Sequence, residues 1–70
     1  MSFSYTIEIE AEDDGRWIAE VLELPGVMVY GQTPAEAISR VKALALRVIA
    51  DRVEDSEDSA AMTVSFSPRP

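Results

Sequence analysis

Thr33-Pro34-Ala35-Glu36 fixes where a helix begins, and that constrains the fold more than any other part of the sequence. Threonine is a good N-cap, because its hydroxyl accepts a bond from an otherwise orphaned backbone N–H. Proline suits the first helical position, where a missing N–H loses nothing. Glutamate at the third position completes a capping box. From Ala35 to Val53 neither glycine nor proline interrupts, which predicts a helix over 34–53, a rod of about 30 Å. At 100° per residue Ala37, Ile38, Val41, Leu44, Ala45, Val48 and Ile49 form one apolar stripe. Glu36, Ser39, Arg40, Arg47 and Asp51 lie opposite, and Leu46 and Val53 sit at the margin. A single one-sided helix must bury its stripe against something else.

The rest of the chain supplies a sheet. Phe3, Tyr5, Ile7 and Ile9 alternate with Ser4, Thr6, Glu8 and Glu10, the period of a half-buried strand over 3–10. Asp14-Gly15 is a turn dipeptide that reverses the chain. Residues 16–22 place Trp17, Ala19 and Val21 on one face and Ile18, Glu20 and Leu22 on the other; apolar residues on both faces predict an internal strand. Leu24-Pro25-Gly26 breaks it, and Val27 to Tyr30 form a short third strand ended by Gly31. Residues 54–59 read as an acidic loop. Met62, Val64 and Phe66 alternate with Thr63 and Ser65 as a fourth strand over 61–66, and Ser67-Pro68-Arg69-Pro70 reads as a tail outside the ladder. The expected class is α+β, in the order β-β-β-α-β: three antiparallel strands, a parallel fourth returning beside the first, and one helix on one face. The other face then has no cover, which leaves Ile18 and Leu22 half exposed unless another chain covers them.

Seventy residues make one small domain, in which a monomer is marginally stable, so a homo-oligomer, at least a dimer, is expected. The chain has no cysteine and no histidine, which excludes disulfides, Cys/His zinc sites and Ser-His or Cys-His catalytic pairs. Thirteen acids against six bases give a net charge of −7, which argues against binding a phosphate backbone and favours a basic partner. Four bases against two acids leave helix 34–53 at +2, so the remainder of the chain carries −9. No apolar run reaches the roughly 18–20 residues that span a bilayer, and the first residues lack the features of a signal peptide, so the cytoplasm is the expected location and no membrane partner is expected.

Carboxylates are the only plentiful reactive groups. Glu8, Glu10 and Glu20 can approach one another, but alternate glutamates ordinarily mark a solvated strand face. Glu12, Asp13 and Asp14 lack the spacing of a calcium loop. Ser39 and Lys42 lie three apart on the helix without a pocket, and Tyr5 and Trp17 read as core rather than as platforms for bases. The expectation is no catalytic residue, no metal site and no cofactor. Partner binding is assigned to Glu12, Asp13, Asp14, Glu20 and Glu23, the acids of the hairpin and its exit turn, and an oligomer interface to Ile18 and Leu22.

Tyr5, Asp14-Gly15, Trp17, Ala19-Glu20, Leu24-Pro25-Gly26, Gly31-x-Thr33 and Glu36-Ala37, in this order, resemble the N-terminal domain of HicB-like antitoxins, over about residues 5–57. Gly15, Trp17, Pro25, Gly26, Gly31, Thr33, Pro34 and Glu36 look like fold determinants in this pattern. The resemblance implies a truncated, degenerate RNase H-like fold and a single HicB-like domain over 1–70. It also implies neutralisation of a HicA-type toxin, a small basic mRNA-cleaving protein with a catalytic histidine. Val27 stands where many members have cysteine, and the C-terminal DNA-binding segment of longer members is missing, so direct nucleic-acid binding is not expected. Two other readings compete: a structural or regulatory oligomer without a toxin, and a residual metal-dependent nuclease, for which the carboxylate set is incomplete.

Overall fold

The computed structural model describes residues 2–56 and 62–69. Its elements are β1 (Ser2–Ala11), β2 (Trp17–Val21), β3 (Met28–Gly31), α1 (Pro34–Ser56) and β4 (Thr63–Pro68). The four strands form one sheet in the order β3-β2-β1-β4. β1 pairs antiparallel with β2 and parallel with β4, and β2 pairs antiparallel with β3. This is the expected α+β architecture in the order β-β-β-α-β, with one helix on one face.

The turns follow from their residues. Between β1 and β2 the amide of Glu12 donates to the carbonyl of Arg16, and that of Gly15 to the carbonyl of Glu12. Between β2 and β3, Val27 N–H donates to the Leu24 carbonyl at 3.0 Å, with Pro25 and Gly26 at the centre of the turn. Gly26 has φ +83°, the left-handed value that a type II turn requires after proline. The turn presses Leu24 and Val27 into the core, where both are buried.

The helix begins as predicted. Thr33 Oγ1 accepts the Glu36 amide at 3.1 Å, but Glu36 Oε1 reaches back to the N–H of Gln32, one residue before the cap. Ala37, Val41, Ala45 and Ile49, every fourth residue, are buried, and Ile38, Leu44 and Val48 flank them. Val53 belongs with this stripe rather than at its margin, since it lies four residues beyond Ile49 and packs against the core. On the sheet side Tyr5, Ile7, Ala19 and Val21 complete the core, and Trp17 and Phe3 pack at its rim.

Two C-terminal ends differ from expectation by two residues or more. The helix continues through 54–56, which were expected to be loop; residues 57–59 of that loop lie outside the described residues, as does residue 61 of the expected fourth strand. Over its full length α1 therefore carries four acids and four bases, not +2. β4 runs to Pro68 rather than stopping at Phe66: Pro68 pairs with Ile7, and Arg69 N–H donates to the Ile7 carbonyl at 3.0 Å. In this parallel register Thr63, Ser65, Ser67 and Arg69 bond inward to β1, so the position of Pro68 asks for an N–H only on the outer edge. A proline there takes nothing from the ladder.

Candidate functional site

Because α1 covers one face of the sheet, the other is the broadest continuous surface that the strands build. No element among the described residues lies over it. The register sets its composition. Glu8 stands directly opposite Glu20, which stands opposite Met28. In the next row Glu10 opposes Ile18, which opposes Tyr30. Leu22 and Thr6 continue the face, tied by the Leu22 N–H to the Thr6 carbonyl at 3.0 Å. The face is thus divided: apolar Ile18, Leu22, Met28 and Tyr30 on the β2 and β3 side, with Glu20 set among them next to the polar, acidic side on β1 and β4. Leu22 (42%), Met28 (48%) and Tyr30 (42%) are among the most exposed large apolar side chains, and Ile18 is half-buried between them.

Glu8 and Glu20 form a like-charged cross-strand pair, with Cα atoms about 5.5 Å apart in a hydrogen-bonded antiparallel pair. Such opposition is destabilising. Arg69 offsets it in part through a salt bridge to Glu8. Among the described residues no group of three or more acids converges closely enough to hold a metal ion.

The hairpin end carries a second charged arrangement. Arg16 Nε contacts Asp14 Oδ2 at 2.7 Å, and the Arg16 guanidinium lies 4.1 Å over the Tyr30 ring, a cation–π contact. Asp14 Oδ1 also accepts the Arg16 backbone N–H at 3.1 Å. The Asp14 carboxyl is held below its usual range first by that backbone bond, against a smaller opposing effect of burial, and then by the guanidinium.

The five acids assigned to a partner from sequence do not form one patch. Glu12, Asp13 and Asp14 lie at the β1–β2 turn. Glu23 lies beyond the other end of β2, six residues along β1 from Glu12, or about 20 Å by strand rise. It is already engaged: Oε1 accepts the Thr6 backbone N–H at 2.7 Å and Oε2 the Thr6 hydroxyl at 2.8 Å. The backbone bond is the main cause that lowers its pKa. Glu23 is therefore a clasp that takes over where β2 leaves the ladder. Of the five, Glu20 stands on the uncovered face itself, where the structure joins it to Glu8 and Glu10 and to Ile18 and Leu22, and Glu23 reaches the edge of that face through the Thr6 hydroxyl. Met28, Tyr30 and Arg69 complete this surface and were not singled out from sequence. The alternation of Met28 and Tyr30 with Val29 was the available signal; nothing local marked Arg69.

A shallow apolar groove lies on the helix side, lined by Ile7, Ile9, Ile38, Lys42, Phe66 and Pro68, where α1 sits over β2 and β3 and leaves β1 and β4 less covered. Among the described residues no helix is long and apolar enough to cross a membrane. Comparison with protein-family models, with curated proteins and with solved structures finds no match.

Proposed function

We propose that this chain is a non-catalytic binding module of the HicB-like antitoxin kind, which docks a small basic protein on its uncovered sheet face and neutralises it by covering its working surface. The observation that carries this reading is the composition of that face. An exposed apolar half, Ile18, Leu22, Met28 and Tyr30, adjoins an acidic half, Glu8, Glu10 and Glu20. Exposed apolar side chains with charges beside them are the ingredients of a protein interface. The sign of the charge selects a basic partner and accelerates its approach. The like-charged pair Glu8 and Glu20 weakens the free protein, and a cation presented by a partner relieves it. The ordered residues from Tyr5 to Ala37 that resemble HicB-like antitoxins point to a HicA-type mRNA-cleaving toxin as that partner.

Co-expression tests the proposal. A HicA-type toxin encoded beside this chain arrests growth when induced alone, and this chain restores growth. Tyr30→Asp and Glu20→Lys abolish rescue and binding of the purified toxin, while Arg47→Ala, on the helix back, leaves both intact. A toxin that remains active and unbound beside the folded wild-type chain overturns the reading.

A further inference from the structure

The two edges of the sheet are not equivalent. In β3 the residues that bond to β2 are Val29 and Gly31, following the Val21–Val27 bond, so Met28 and Tyr30 present their backbone groups outward. That edge is short and guarded: Arg40 Nη1 donates to the Tyr30 carbonyl at 3.1 Å, and Arg16 lies over the Tyr30 ring. In β4 the outward groups are the N–H and C=O of Val64 and Phe66. Charges, prolines and bulges are the usual means of blunting such an edge. Residues 62–68 carry no charge, and Pro68 closes only the end of the strand.

We propose that a second copy of this chain pairs antiparallel with the outer edge of β4, about a two-fold axis at Ser65. The charge pattern argues for a second copy rather than another partner. A chain of net charge −7 repels a second copy overall, and β4 is a neutral strip where that repulsion is weak, with Glu8, Glu10 and Glu20 set back on β1 and β2. The axis follows from the backbone. Centred on Ser65, Val64 of each copy exchanges both bonds with Phe66 of the other, which uses every free N–H and C=O of these two residues. Shifted to a centre at Phe66, Val64 meets Pro68, which has no N–H to give. The pairing also sets Val64 beside the partner's Phe66 on the helix-covered face, an aromatic and β-branched pair of the stabilising kind. Both side chains are only half-buried in the single chain. The result is a continuous eight-stranded sheet that leaves the acidic face of each copy open, so the inference stands independently of the proposed toxin binding.

The chain has no cysteine, which makes the axis directly testable. In this arrangement Ser65 opposes its own copy as a non-hydrogen-bonded pair, about 4.5 Å between Cα atoms, within reach of a disulfide. Thr63 and Ser67 each lie about 13 Å from their own copies. Sedimentation of the full chain at micromolar concentration is expected to give twice 7.7 kDa. Ser65→Cys then forms a disulfide dimer on mild oxidation, and Thr63→Cys and Ser67→Cys do not. Val64→Pro removes an outward N–H without touching a bond to β1 and raises the dimer dissociation constant about tenfold or more. Circular dichroism confirms that each variant is folded. A monomeric wild type overturns the proposal. So does a dimer that survives Val64→Pro and cross-links equally at all three positions, which moves the contact to the face of Ile18 and Leu22.

Discussion

A methyl group at position 31 would lie 2.5 Å from the amide nitrogen of Ala37 and 2.9 Å from its Cα. The obstacle is backbone in the first turn of α1, which cannot move without dragging the helix off β3. Gly31→Ala is therefore expected to lower stability by about 1–3 kcal/mol, the range for overpacking. Urea denaturation checks this, and an unchanged midpoint means that the helix does not seat against the end of β3. A second residue-scale prediction concerns acid. Asp14 and Glu23 both have pKa values lowered on folding, each chiefly by a backbone N–H. Such groups bind a proton less readily in the folded chain than in the unfolded one. Their contribution is complete above the unfolded pKa, about 4, and is lost as pH falls through the lower folded value. Stability is thus expected to hold from neutrality to about pH 5 and to fall below about pH 4. The double variant Asp14→Asn, Glu23→Gln flattens that limb; an identical slope in denaturation midpoints would show that these contacts do not form in solution. Gly31 was legible from sequence as a strand terminator, but not as a point of close approach. Glu23 read as a free acid, because its bonds to Thr6 depend on a register between residues far apart in the chain.

At the scale of elements, local chemistry predicted what local chemistry controls. The capping residues located the start of α1, the period of two located β1 and β2, and Leu24-Pro25-Gly26 located the turn before β3. The ends were harder where tertiary contacts decide them. Proline at position 68 suggested a tail, yet an edge strand in parallel register has outward positions that tolerate it. The run of acids after Val53 suggested a loop, yet Val53 still reaches the core and holds the last turn in place. That last turn contains no basic residue, and Glu54 and Asp55 stand at the negative end of the helix dipole. Replacing Asp55 with Lys is expected to raise stability by about 0.3–1 kcal/mol at low salt, with the gain shrinking as salt is added. Thermal melts at two ionic strengths measure it. No gain at low salt means that the helix ends before Asp55.

Across the whole molecule, one face of the sheet follows the rules of stability and the other departs from them. Beneath α1 the buried residues are all hydrophobic, and among the described residues no buried side-chain polar atom lacks a partner. On the open face Glu20 opposes Glu8, and Met28, Tyr30 and Leu22 stand in solvent. Sequence showed that this face lacked a helix, but its division into acidic and apolar halves emerges only when the strands are aligned. The departure yields a paired prediction. Glu20→Gln removes a like-charged neighbour and is expected to raise the stability of the free chain by about 0.2–1 kcal/mol, the usual size of a cross-strand pair. The same substitution takes one charge from the face proposed to meet a basic partner. Association should slow at low salt and converge on the wild-type rate as salt rises, because charges at an interface act within a screening length of about 8–10 Å. Urea denaturation gives the first quantity, and stopped-flow mixing with the purified toxin at several salt concentrations gives the second. A surface kept only for solubility changes neither the rate nor its salt dependence when Glu20 is neutralised. A variant that is both more stable and equally fast would therefore remove the partner from this face, even with the stability gain intact.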